Sequence, residues 1–280
     1  MEKNRIVICV APVGNRMPPG IRNPVAVEEL VDEVVQAERA GASMVHLHVR
    51  DQQGKPTDAP HDFVRTLELI RERSKVIIQA STGGEAGLEI EDRSVSLDDA
   101  RVEVASLNMG SVNFGEGVYL NSLPDIRRLA QKMRKKKLVA ELEVFDASMV
   151  ETAKNMIQHG LMPSSCYYNF NLGFPGALSA EPRNLCMLRS LISEDDKWGI
   201  VVNDRRDFLL VAAGIGLGAT IIRVGFEDSP FLNRGRVAAS NADLVRAAAE
   251  LTRNAGLEPA SPDEARGILG TRRGAKRHAC

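Results

Sequence analysis

Eight times along 280 residues, a short β-branched apolar run gives way to a longer stretch with helical periodicity. That alternation restricts the fold more than any other feature, because parallel strands need crossover connections, and helices are what usually make them. Strands are predicted near 5–11, 43–49, 75–80, 102–107, 138–143, 166–171, 199–203 and 220–224. Helices are predicted between them, at about 24–40, 60–74, 95–101, 122–136, 147–160, 183–193 and 205–217, with the last at about 240–256. Gly41 sits where the cap of the clearest helix belongs, and Ser240-Asn241 and Gly256 bracket the last one. With no break in composition, the units read as one α/β domain over 1–270, a (β/α)₈ TIM barrel. An open doubly wound sheet is the alternative, and it predicts a GxGxxG turn after the first strand. That position reads Ala11-Pro12-Val13-Gly14-Asn15-Arg16-Met17-Pro18-Pro19-Gly20 and lacks the motif. Residues 271–280 are basic and aperiodic, and a frayed tail is expected there.

Composition narrows the class of function. A net charge of -1 removes any bulk attraction to nucleic acid or membrane surfaces. No apolar run approaches the length of a membrane span, and the first residues lead straight into a strand without a signal pattern, so a cytoplasmic protein is expected. Cys9, Cys166, Cys186 and Cys280 are widely spaced and form no CxxC pair, consistent with a reducing compartment.

Within this frame, polar residues gather where the strands end. Barrel active sites assemble at the carboxyl ends of the strands, from several strands at once. Here those ends carry Asn15 and Arg16, then His46 and His48, then Gln79-Ala80-Ser81-Thr82-Gly83-Gly84. Ser106 and Asn108, Glu141 and Glu143, and Asn169 and Asn171 follow. Asn203, Asp204 and Arg205 end the seventh strand, and Arg223 with Glu227 and Asp228 the eighth. His46 and His48, two apart on one strand, project from the same face and can occupy two positions of one metal ion, Zn²⁺ being the usual occupant. A hydrogen-bonded histidine pair is the competing reading. Glu227 is the natural third ligand, leaving the open position of a catalytic site; otherwise Glu227-Asp228 is a turn pair. Ser81-Thr82-Gly83-Gly84 offers hydroxyls and backbone N–H groups to an anion, and it is also a good turn. His61 and His159 lie in or beside helical patterns and His278 in the tail, away from this set.

Taken in order, these motifs resemble one family, the β-keto acid cleavage enzymes. The resemblance runs from about residue 5 to 270 and is carried by Val45-His46-Leu47-His48-Val49-Arg50, Gln79–Gly84 and 106–115. Leu172-Gly173-Phe174-Pro175-Gly176 and Arg223-Val224-Gly225-Phe226-Glu227-Asp228 complete it. The resemblance implies a homo-oligomeric (β/α)₈ barrel, with a tetramer suspected, and one Zn²⁺ per chain on His46, His48 and Glu227. It implies a reaction in which a β-keto acid condenses with acetyl-CoA and the adduct splits into acetoacetate and a new acyl-CoA. Asp228 would move the proton, Arg223 would hold developing negative charge, Ser81 would meet the substrate carboxylate, and Ser106 would stand near the reacting centre, where the family's described member has threonine. Thr82, Gly83, Gly84, Asn108 and Glu143 are expected to line the substrate site. The first loop departs from the pattern. The described member has a glutamate there for the substrate's ammonium group, whereas this loop is shorter, matches with Arg16 or Asn15, and has no acidic residue between Ala11 and Val27. An anionic or neutral polar substrate end, such as that of a 3-oxo dicarboxylate, is therefore expected. Another Zn-dependent barrel enzyme that does without CoA, an aldolase or hydrolase, is the alternative, and a non-catalytic metal-binding barrel is the third reading.

Overall fold

The computed structural model describes residues 4–271 apart from 15–16, 52, 54, 56, 58, 84–88 and 115. Eight parallel strands form the centre: β1 (Arg5–Val10), β2 (Met44–Leu47), β3 (Ile77–Ala80), β4 (Val104–Asn108), β5 (Val139–Val144), β6 (Cys166–Leu172), β7 (Trp198–Val202) and β8 (Ile221–Val224). Each pairs with the next, and β8 returns to β1 through Val7↔Ile221, Cys9↔Arg223 and Val10↔Val224, which closes the barrel. The expected barrel is therefore the observed one, and the open-sheet alternative is excluded.

A helix follows each strand: α1 (Val27–Ala40), α2 (His61–Arg73), α3 (Ile90–Arg93), α4 (Leu123–Lys136), α5 (Ala147–Gln158), α6 (Pro182–Ser190), α7 (Leu209–Gly216) and α8 (Asn241–Asn254). Caps mark several ends as the residue types predict. Gly41 ends α1 at φ 121°, donating to Glu38 O, and the Ser240 hydroxyl accepts from the N–H of Asp243 at the start of α8. The third helix is a correction. Instead of 95–101 the chain makes the four-residue α3 and a 3₁₀ turn, Val95–Asp98, whose Leu97 is buried. Ile90 from the short helix and Leu97 from the 3₁₀ turn both join the core under the barrel strands, so two short pieces cover what one longer helix was expected to cover. The seventh helix also starts four residues later than expected, because 204–208 make the loop that carries Arg205.

Strand alternation separates two cores. Outward residues such as Ile8, Val45, Ile78, Leu107, Leu142, Phe170, Ile200 and Ile222 pack under the helices. Inward residues at the amino-terminal half, Val7, Met44, Ile77, Val104, Val139 and Ile221, make a separate apolar floor. A ninth helix absent from the sequence reading, α9 (Pro262–Leu269), closes that floor with Ala265, Ile268 and Leu269. It starts with a capping box between Ser261 and Glu264. Arg266 on α9 makes two 2.8 Å bonds to the Glu103 carboxylate, both partners buried. The barrel is thus plugged at its amino end and polar at the other. No helix among the described residues is long and apolar enough to cross a membrane.

Candidate active site at the barrel mouth

One strand step above the apolar floor, the inward positions become polar: His46, Gln79, Ser106, Glu141, Asn169 and Arg223, all buried. The next step brings His48, Ser81, Asn108, Glu143 and Asn171 to the mouth. A period of two on every strand stacks these layers, so a chemical site is built into the barrel itself.

His46 and His48 meet as their spacing predicts, with Nε2 atoms 3.3 Å apart. Glu227 Oε1 lies 3.4 Å from His48 Nε2 and 3.7 Å from His46 Nε2. The loop after β8 delivers this carboxylate. Gly225, at φ 150°, brings the β8 backbone against Ala11 so closely that a Cβ would overlap the Ala11 carbonyl. The Glu227 N–H then donates to Ala11 O at 3.1 Å. His46, His48 and Glu227 are the group of possible metal-ligating side chains found among the described residues, each offering a ligand atom within 4.8 Å of the others.

Charge supports the same reading. Burial holds the His46 imidazole down near 3, aided by the Arg223 charge, so its ring is neutral and can act as a ligand. Burial alone would raise the Glu227 carboxyl, but His48, His46 and Arg223 outweigh it and keep the group well below its ordinary value. Arg223 faces three carboxylates: Asp228 at 2.5 Å, Glu227 at 3.2 Å and Glu143 at 4.0 Å. One guanidinium cannot neutralise three acids, so the donor set suits a divalent cation. Glu143 carries part of the imbalance as a neutral acid, since burial and then the charge of Glu141 push it to about 8. Asp228 is also raised by burial, against the pull of Arg223 and with Glu227 adding to the rise.

The loop after β3 leans on this centre. A Cβ on Gly83 would stand 3.5 Å from His48 Cε1 and 2.9 Å from Ser81 Oγ. Ser81 Oγ accepts from the Gly83 N–H at 2.9 Å, which leaves the hydroxyl hydrogen to donate. Thr82 turns away from the site and donates to Ser106 O at 2.7 Å, while its N–H meets Ser106 Oγ at 3.3 Å. Its role in the structure is to tie β3 to β4. Asn108 and Glu143 are register partners at adjacent strand ends. Asn15, Arg16 and Gly84 lie outside the described residues.

Several participants escaped the sequence reading. Arg93 on α3, buried, donates to Thr82 O, Leu120 O, Tyr119 OH and Asn121 Oδ1 at 2.6–2.9 Å, holding the 81–83 loop against the hairpin formed by 112–114 and 117–119. Nothing local in Glu91-Asp92-Arg93 announces this. Tyr167 is another; it bonds Gln79 and Glu141, which the sequence placed among the strand ends and the structure places in the layer of His46, one step below the mouth. Inward alternation from His46 and the pairing of Glu141 with Tyr167 are the signals that locate them. Arg205 and Asn203 are structural: Arg205 bonds the carbonyls of Phe231 and Ser229, and Asn203 donates to Gly173 O at 3.2 Å.

Comparison with known proteins agrees with this geometry. A family model described as beta-keto acid cleavage enzyme matches residues 5–271. The chain is 36% identical over 274 residues to the 3-keto-5-aminohexanoate cleavage enzyme of Acetoanaerobium sticklandii, covering 96% of this chain and 99% of that protein. It is 34% identical over 252 residues to the 3-oxoadipate:acetyl-CoA acetyltransferase of Cupriavidus necator, covering 88% and 87%. Among solved structures, the ternary complex of ObcA with a C4-CoA adduct and oxalate shares the fold, with a TM-score of 0.76 at 21% identity over 89% of this chain and 67% of that one. The chain belongs to the beta-keto acid cleavage enzyme family.

Proposed function

We propose that this enzyme transfers the acyl group of a β-keto acid to CoA, with acetyl-CoA as co-substrate and acetoacetate as the second product. The observation that carries the proposal is the convergence of His46, His48 and Glu227 beside the Arg223–Asp228 pair at the barrel mouth. Held by the first three residues, a divalent cation, Zn²⁺ in our reading, would supply Lewis-acid polarisation of a keto oxygen.

The remaining chemistry belongs to the chain. Asp228, whose basicity burial increases, accepts the proton from the carbon between keto group and carboxylate. Arg223 holds the negative charge that this proton loss leaves on the substrate. The Ser81 hydroxyl, its oxygen held by the Gly83 N–H, donates to the substrate carboxylate, with Asn108 beside it and Ser106 near the reacting carbon. The carbanion attacks the acetyl thioester and expels CoA thiolate. The thiolate attacks the substrate's own keto carbon, the C–C bond breaks to give the new thioester and the acetoacetate carbanion, and Asp228 returns its proton to that carbon. Atoms balance without any further reagent.

The substrate end is part of the same proposal. No acid lies between Ala11 and Val27, and Asn15 and Arg16 stand in that loop, so an anionic or neutral polar end is preferred over an ammonium. A cytoplasmic location and homo-oligomeric assembly complete the reading. The test is a panel of cationic, neutral and anionic β-keto acids with acetyl-CoA, read by acetoacetate formation and by mass spectrometry of the acyl-CoA. Anionic substrates should show the highest kcat/KM, and Arg16→Ala should reduce that preference. Substrate turnover without any change in acetyl-CoA would instead indicate an aldolase or hydrolase.

A further inference from the structure

Beside His46, one layer below the mouth, lies a buried relay that the proposed chemistry does not use. His46 Nδ1 faces Gln79 Oε1 at 2.8 Å, and Gln79 Nε2 faces Glu141 Oε2 at 2.8 Å and Tyr167 OH at 3.0 Å. Tyr167 OH in turn bonds the same Glu141 oxygen, and Cys9 Sγ donates weakly to Gln79 Oε1 at 3.8 Å. Gln79, Glu141, Tyr167 and Cys9 are all buried inside the barrel.

We infer that Glu141, acting through the Gln79 amide, sets the tautomer of His46 and so presents its Nε2 lone pair to the metal position. An amide can sit two ways round, with its oxygen or its NH₂ toward the imidazole. In the structure the Gln79 NH₂ donates to Glu141 Oε2, which accepts from Tyr167 OH as well, and the Cys9 thiol donates to the Gln79 oxygen. The carbonyl oxygen is then left facing Nδ1, and Nδ1 must carry the hydrogen. Nε2, 3.3 Å from His48 Nε2, is left bare. The reversed amide would place its oxygen 2.8 Å from a carboxylate oxygen and put the imidazole hydrogen on Nε2, where it blocks a ligand. Gln79 and Glu141 are therefore positioning residues, in the way that outer partners of a metal-bound histidine fix tautomer and ring orientation.

This inference rests on the metal-site reading, and two readouts on the full chain keep the two apart. Multiple-bond ¹H–¹⁵N correlation, before and after Zn²⁺ addition, reports the His46 tautomer; chelator competition reports Zn²⁺ affinity. Wild-type His46 should be the Nδ1–H form throughout. In Glu141→Gln, nearly isosteric but able to donate to a reversed Gln79, the Nε2–H form should be populated and Zn²⁺ affinity should fall about 10–100-fold. Tyr167→Phe leaves the Glu141–Gln79 bond and should keep the wild-type tautomer, whereas simple loosening of the barrel would move both variants alike. An Nε2–H wild type, a Glu141→Gln protein with unchanged tautomer and affinity, or equal shifts in both variants would overturn the inference. Should Glu141→Gln not fold, the wild-type tautomer still decides. A wild type that binds no Zn²⁺ while showing the Nδ1–H form would overturn the metal reading and leave the tautomer assignment standing.

Discussion

His48 separates a metal site from a hydrogen-bonded histidine pair. Removing it by His48→Ala leaves two donors, which hold zinc poorly, so most bound metal and most turnover should be lost. Elemental analysis of the purified variant checks this, and full occupancy would leave only the hydrogen-bonded pair. Asp228→Asn keeps the shape but cannot take a proton. Turnover should fall roughly 10²–10⁴-fold with metal content unchanged. Near-normal turnover would move the base elsewhere, with Glu143 next in line. Glu143 also makes a pH prediction. Its folded-state value of about 8 lies above the ordinary 4.5, so between these values the folded chain keeps a proton that the unfolded chain has released. Its stabilising contribution is complete below about 4.5 and is lost as pH rises through about 8. In metal-free protein, urea midpoints should therefore drop more between pH 5 and 8.5 in the wild type than in Glu143→Gln. Equal drops would show that Glu143 is ionised in the fold.

Helix α9 shows what an element can contribute far from chemistry. Its Arg266 pairs with Glu103 in the barrel floor, and the Arg266 guanidinium also reaches Lys75 O at 2.9 Å. Arg266→Leu removes the charged partner of a buried carboxylate and should cost about 3–5 kcal/mol in chemical denaturation. Metal content should be unaffected, because the floor and the mouth are opposite ends of the barrel. A cost below about 1 kcal/mol would mean that Glu103 finds other partners. The sequence pattern revealed the eight strands well, since period-two alternation and β-branched runs report burial directly. It did not reveal α9, α3 or the two short hairpins. Arg266 and Arg93 look like surface arginines until tertiary contacts bury them, and hairpins such as 231–233 with 236–237 pair across a local turn. The site was legible to the same degree. His46, His48 and Glu227 could be read from spacing and strand ends, whereas Tyr167 and the depth of Gln79 and Glu141 depend on inter-strand register.

At the scale of the whole molecule, the barrel divides its labour along its axis. Apolar layers and α9 close the amino end, and polar layers face the carboxyl end, where eight loops converge. That division explains how a chain with a net charge of -1 concentrates three carboxylates and one buried guanidinium in a single spot. The most direct measurement is acetoacetate formation from acetyl-CoA and the β-keto acid panel, followed on the metal-stripped protein before and after Zn²⁺ is returned. The account predicts no acetoacetate from the stripped protein, and turnover restored as Zn²⁺ approaches one ion per chain, with a new acyl-CoA formed in equal amount. Equal rates with and without metal, or no acetoacetate from any β-keto acid once Zn²⁺ is bound, would contradict it.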